Sequence, residues 1–231
     1  WSNFFAMELT KEQIQEIDNY ISVCGIKYYD VRTEIVDHFA SIIETRLETE
    51  PNLHIRKTVA EEHKKFSDDG FKKLLETKTK NTHKRFYKST FTHLKSFFKF
   101  PKVIISIAAF YSLVLLMNLF QNKEDFFYML TFILFAIYFY LVIKVWINEK
   151  KGKTPFIVLK KSDHFIMIFM NVAQFFHLGT VFRIDNSFNN LTYNYIQIAI
   201  YVLTLLFYWS GEYVYYKNKQ EIKKQYPNVF V

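Results

Sequence analysis

Glycine and proline are scarce in this chain, with 5 Gly and 4 Pro among 231 residues. So few turn-formers exclude a turn-rich all-β fold, a collagen-like repeat and a flexible linker. One cysteine, Cys24, excludes an intramolecular disulfide framework and a cysteine-based zinc site. Residues 80–102 contain no Asp or Glu. What is abundant is aromatic and apolar. There are 26 Phe and 16 Tyr, and half the residues are apolar, which excludes extended disorder. The length allows one or two domains.

The mean hydropathy of −0.03 looks ordinary, but it averages unlike segments. Residues 1–79 hold 11 Lys/Arg against 15 Asp/Glu, a net charge of −4. Residues 80–102 hold 7 Lys/Arg, a net of +7. Residues 103–231 hold 12 against 7, a net of +5. The overall charge of +8 therefore sits beside the apolar runs, as at a membrane surface, and does not call for a nucleic-acid groove.

Four apolar stretches stand out: Val103–Phe120, Phe126–Trp146, Phe165–Phe182 and Ile196–Tyr213. An 18-residue helix is about 27 Å long, close to the ~30 Å hydrocarbon core of a bilayer. Backbone groups find no water there, so each stretch is expected to be a continuous helix. A soluble chain of this size could not cover four helices that are apolar all round. The expected fold is thus all-α, with a small cytoplasmic helical domain followed by a four-helix transmembrane bundle.

Charge sets the expected orientation. Sixteen Lys/Arg lie in the stretch before the first span, the loop between the second and third, and the tail after the fourth. That loop carries Lys150, Lys151, Lys153, Lys160 and Lys161, and the tail carries Lys217, Lys219, Lys223 and Lys224. The other two connections hold one each, Lys123 and Arg183. Positive residues stay inside, so both termini are expected in the cytoplasm of a cell inner (plasma) membrane. Trp146, Tyr208, Trp209, Tyr213, Tyr215 and Tyr216 fall at span ends, as interfacial aromatics do. The first residues, WSNFFAM, lack the charged and apolar regions of a signal peptide. Met7 opens a reading frame (MELTKEQ), which would make residues 1–6 an addition to the native start.

Residues 8–76 read as three or four short amphipathic helices. Thr10 and Gln13 fit a capping box, in which the Thr side chain accepts from an N–H three residues on and the Gln reaches back. Ile14, Ile17, Ile21 and Cys24 follow at helical spacing, and Gly25 ends the helix. Asp30 is placed to cap a second helix with Val31, Ile35, Phe39, Ile42 and Leu47 inward. A third runs from about Ile55 to Phe66, closed by Ser67-Asp-Asp-Gly70.

The strings LTKEQIQEIDNYISVCGIKYYDVRTEIVDHFASIIE and AEEHKKFSDDGFKKLLE carry an opening helix, an acidic E-x-x-D-H helix and an F-x-x-x-G-F turn. The motif residues are Glu34, Asp37 and His38, then Phe66, Gly70 and Phe71. This segment resembles the HAAS-type helical signalling domains, which precede multi-pass membrane regions and are associated with PadR-like transcription regulators. The resemblance covers about a third of the chain. It implies an interaction or regulatory role, with a transcription regulator as partner and Glu34, Asp37 and His38 as candidate partner-binding residues. It supplies no catalytic residues.

From Lys72 to Lys102 cations alternate with aromatics. Phe86, Thr90, Phe91, Leu94, Phe97 and Phe98 fall near one helical face of the 77–102 connector. Lys84, Arg85, Lys88, Lys95 and Lys99 lie largely elsewhere. Such a helix is expected to lie in the headgroup layer of an anionic inner leaflet, with those five cations as lipid contacts. The alternative is that the aromatic face packs on the N-terminal domain.

Other polar residues carry weaker chemistry. Glu34, Asp37 and His38 could meet Glu61, Glu62 and His63 in a metal site, but no metal-binding motif is present and solvated acidic faces explain them better. Cys24, without a neighbouring cation in the sequence, reads as a small core residue. In the third span Asn171, Gln174 and His177 recur every three residues as a slanted stripe. They read as interhelical hydrogen-bond glue. The alternative is a polar pathway, joined by Ser112, Asn118 or Gln197, in a small transporter or channel component. Lys144 and Glu212 sit near span ends, where they are expected to snorkel to water. The reading is a non-enzymatic regulatory membrane protein with no cofactor and no direct nucleic-acid partner. Self-association into a homo-oligomer is compatible with it.

Overall fold

The computed structural model describes residues 8–65, 70–150, 156–179, 183 and 185–229, the side chains of 71, 185, 186 and 228 excepted. Residues 1–7, Phe66, the 67–69 part of the expected turn, Lys151, Lys153 and the end of the third span at Phe182 lie outside them. Among the described residues the chain is all helical. The helices are α1 (Lys11–Val23), α2 (Tyr29–Leu47), α3 (Ile55–Lys65), α4 (Gly70–Ser96), α5 (Val103–Leu119), α6 (Lys123–Lys150), α7 (Ile157–Leu178) and α8 (Leu191–Gln225). A 3₁₀ turn, Asp185–Asn189, precedes α8.

Packing divides the chain into two units. The first comprises residues 1–82 with 154–157, the second residues 83–153 with 158–231. Helix α4 runs unbroken through the expected boundary at 76/77, because no Gly or Pro follows Gly70 until Pro101.

In the first unit the expected capping box is present. Gln13 N donates to Thr10 Oγ1 (3.4 Å) and Thr10 N to Gln13 Oε1 (2.8 Å). Gly25 ends the turn after α1 with φ +93°, which a side chain would strain. Ile17 and Ile21 are fully buried, but Ile14 is exposed and Cys24 only half-buried. The apolar stripe of α1 is therefore narrower than its spacing implied. The cap of α2 also differs: Tyr28 is its N-cap and Asp30 lies inside the first turn. Asp30 Oδ1 instead accepts from Ile157 N (3.1 Å). Ile43 takes the buried position expected of Ile42, beside Val31, Ile35, Phe39 and Leu47. The α1–α2 pair is tied by Arg32 Nε donating to Asp18 Oδ1 at 2.7 Å.

In the second unit α6, α7 and α8 lie antiparallel in a steady register. On α6 and α7, Asn171 meets Tyr138 and Gln174 meets Leu134. On α7 and α8, Phe169 stacks on Phe207 (centroids 3.4 Å apart) and His177 meets Tyr201 edge-on (5.6 Å). Gly211 makes the α7–α8 approach close, since a Cβ there would stand 2.9 Å from Ile166 Cγ1. Gly211→Val is therefore expected to overpack the seam and cost about 1–3 kcal/mol. A fall in Tm, recovered by adding Ile166→Ala, checks this. An unchanged Tm would mean the seam has slack.

Helices α6 and α8 are long and apolar enough to cross a membrane. With 28 and 35 residues they measure about 42 and 52 Å. Helix α5 is also apolar but has 17 residues. Helix α7 starts eight residues before the expected third span, and Lys160, Lys161 and Asp163 in its first turns lower its hydropathy.

Candidate functional site

On α2, every third or fourth residue faces the core, which leaves Glu34, Asp37 and His38 outward and exposed. Glu34 forms an ion pair with Lys78 of α4. Asp37 lines an open cleft of about 460 Å³ between α1 and α2, with Lys11, Ile14, Asp18, Arg32 and Val36. Both signs of charge line it, beside Ile14, Tyr29 and Val36. Glu61, Glu62 and His63 face elsewhere. Arg46 Nη1 reaches Glu62 Oε1 (3.2 Å) and Glu61 Oε2 (3.5 Å), and Lys65 Nζ donates to Glu62 (2.6 Å). The Lys65 hydrogen bond holds the Glu62 carboxyl below the usual carboxylate range. His63 Nδ1 instead meets the Tyr20 hydroxyl (2.9 Å). No three His, Cys, Asp or Glu side chains converge to hold a metal among the described residues. Cys24 Sγ lies 3.9 Å from His63 Nδ1, and burial pushes its thiol pKa up, away from the reactive thiolate.

The basic connector splits as its spacing predicts, but its aromatic face is covered differently. Lys84, Arg85, Lys88, Lys95 and Lys99 are all exposed. Phe86, Thr90 and Phe97 are buried, while Phe98 is exposed. Phe86 meets Phe165 of α7, Phe91 meets Phe207 of α8, and Phe97 meets Trp209. The His93 ring stacks flat on Tyr213, centroids 4.0 Å apart. Burial holds the His93 pKa below the ordinary imidazole value, so the ring is neutral at physiological pH. Most of the aromatic stripe is thus a bundle-packing face against α7 and α8, while Phe98 and the cationic side are open.

The polar stripe of α7 is directed at α6 and α8. Asn171 Nδ2 donates to Tyr138 Oη (3.1 Å), and Gln174 Nε2 donates to the Leu134 carbonyl (3.4 Å). His177 is buried against Tyr201. Ser112 and Asn118 are exposed and do not join it, and Gln197 accepts from Arg183 (2.7 Å). Arg183 also bonds Ser187 and Asn194, anchoring the 3₁₀ turn to the start of α8.

The most concentrated chemistry lies where the sequence suggested snorkelling. Lys144 of α6 and Glu212 of α8 face each other instead, with Nζ 2.8 and 3.1 Å from the two carboxylate oxygens. Asp163 of α7 adds Oδ1 at 3.5 Å from the same ammonium. The three side chains are 12%, 15% and 2% exposed. Tyr215, expected at the interface, is buried, and the ammonium stands 4.3 Å above its ring. The signal for this cluster was positional. In an antiparallel α6–α7–α8 order, the end of α6, the start of α7 and the second half of α8 share one layer. Comparison of the chain with protein-family models, curated proteins and solved structures gave no match.

Proposed function

We propose that this chain is a non-enzymatic multi-pass protein of a cell inner membrane, with a cytoplasmic helical interaction domain that regulates or signals through a protein partner. One observation carries the membrane part. Only 33% of the most apolar stretch of α6 and 39% of that of α8 are buried. A soluble core helix would be largely covered, whereas a lipid-facing helix is not. The exposed apolar surface is also segregated. Among the described residues, Ile14 and Val23 are the large exposed hydrophobics before residue 83, and the rest lie from Tyr87 onward. Helix α5 and the apolar part of α7 complete four spans in this reading, and the sixteen cations of their shared side hold both termini in the cytoplasm. The open cations Lys84, Arg85, Lys88, Lys95 and Lys99 contact anionic headgroups.

The interaction part rests on the exposed Glu34-Asp37-His38 face and the adjoining cleft, together with the HAAS resemblance, which points to a transcription regulator. The transport alternative needed the α7 stripe as a pathway. Asn171 and Gln174 spend hydrogen bonds on α6, which favours their role as glue.

Fusions to the full chain test this reading. A fluorescent reporter that matures only in the cytoplasm is expected to be bright at either terminus, and a periplasm-dependent phosphatase active within 185–190. A dark reporter at either terminus would overturn the topology. Photo-crosslinkers placed at Asp37 and His38 are then expected to capture a transcription regulator in intact membranes. Crosslinks to lipid or to nothing would remove the partner reading and leave the membrane reading standing.

A further inference from the structure

We infer that the Lys144–Asp163–Glu212 cluster is a proton-binding site, with Asp163 carrying the exchangeable proton. The inference rests on the geometry of α6, α7 and α8 and goes beyond the partner reading. The cluster holds two carboxyl groups and one ammonium. If both carboxyls were ionised it would carry a charge of −1, enclosed by side chains that are at most 15% exposed. An unpaired buried carboxylate is costly enough that such a group neutralises instead. Where two carboxyls share a site, the one with the poorer partner takes the proton.

The distances identify that carboxyl. The ammonium has three N–H donors. It directs hydrogen bonds to both Glu212 oxygens, at 2.8 and 3.1 Å, and stands over the Tyr215 ring at 4.3 Å. Asp163 Oδ1, 3.5 Å away, accepts no hydrogen bond among the described residues. Its side chain is 2% exposed, the most buried of the three. Glu212 is therefore the paired anion and Asp163 the carboxyl left over.

The groups facing Asp163 come from three helices. They are Lys144 from α6, Glu212 and Tyr215 from α8, and His164 from α7 itself. His83 of α4 faces both His164 and Lys161, and Glu149 of α6 faces His164. Among the described residues Lys144 is the one cation in contact, and Glu212 already engages it. Binding is a simple exchange: the Asp163 carboxylate takes a proton from hydronium, an O–H bond forms and water leaves. Lys144 and Glu212 keep their charges. With the proton on, the cluster is neutral and the three helices pack without an uncompensated charge. With it off, α7 carries a buried anion that competes with Glu212 for Lys144. Proton occupancy is thereby linked to how α7 sits between α6 and α8.

Infrared difference spectroscopy on the full chain in lipid vesicles tests this, with ¹³C at the aspartate side-chain carboxyls. A protonated-carboxyl C=O stretch is expected at neutral pH, shifted by the aspartate label and removed by raising the pH. Asp163→Asn is expected to abolish it, and Asp163→Glu to transfer it to a band that only glutamate labelling shifts. The labelled wild-type chain decides between Asp and Glu even where a variant loses its helical circular dichroism. The inference is overturned by no such stretch at neutral pH, by a stretch insensitive to the aspartate label, or by one that survives in folded Asp163→Asn.

Discussion

Lys144→Met is expected to destabilise the α6–α7–α8 bundle by about 3–5 kcal/mol, the cost of breaking a buried pair by removing one partner. The side chain is 12% exposed and its ammonium contacts carboxyls from two other helices. Removing it leaves the paired anion, Glu212, buried with no counter-charge beside Asp163. The loss has two signatures that simple loss of packing would lack. Glu212→Gln added to Lys144→Met is expected to recover much of it, because a neutral amide needs no cation. The loss should also shrink on acidification. Burial pushes the Asp163 carboxyl above the ordinary aspartate range, so it stabilises while protonated and costs stability as the pH rises through its folded-state value, more so once Lys144 is gone. Thermal melts followed by circular dichroism in bicelles, at acidic and neutral pH, give both readouts. A loss under about 1 kcal/mol at neutral pH would place the pair among the screened surface bridges.

Phe39→Ala is the corresponding lesion in the first unit. Phe39 has no exposed surface, and Ile17, Ile21 and Ile43 around the α1–α2 seam have none either. Truncating a fully buried Phe costs about 3–5 kcal/mol from lost transfer energy and the cavity left behind. A helical unit of this size buries a smaller fraction of its surface than a large domain does and has little stability to spare. The expected result is loss of amide protection across α1, α2 and α3 in hydrogen exchange on the full chain. Ile42→Ala, at the half-buried neighbouring position, should leave protection nearly unchanged. Equal effects of the two would mean that the burial pattern of α2 does not govern its stability.

The contrast between Ile42 and Ile43 shows how far spacing reaches. A helical period places a stripe to within about one residue, because 3.6 residues per turn let either of two neighbours face inward. Which one does so depends on where α1 and α3 press, and that is a tertiary matter. Terminal signals were more legible. Thr10, Gln13 and Gly25 act through their own backbone and need no partner element. Asp30 was misassigned for the opposite reason, since its carboxylate accepts from a residue 127 positions away. The connector divides along the same line. Its cations are exposed as the pattern implied, but the occupant of its aromatic face, α7 and α8, was not readable from residues 77–102 alone.

Local chemistry along the chain was enough for the helical class, the capping box and glycine turn of α1 and the four apolar runs, because backbone satisfaction and helix period are short-range properties. It was also enough to segregate an acidic head, a cationic connector and an apolar remainder. Tertiary packing alone decided the fate of the charges near the helix ends. A lysine near the end of an apolar helix is free to reach water unless a carboxylate is closer. Here the antiparallel register of α6, α7 and α8 brings Glu212 and Asp163 to Lys144 and closes them off together. Burial strengthens their attraction and raises the cost of the charge left over, so three residues that look peripheral in the sequence form the most chemically loaded place in the protein.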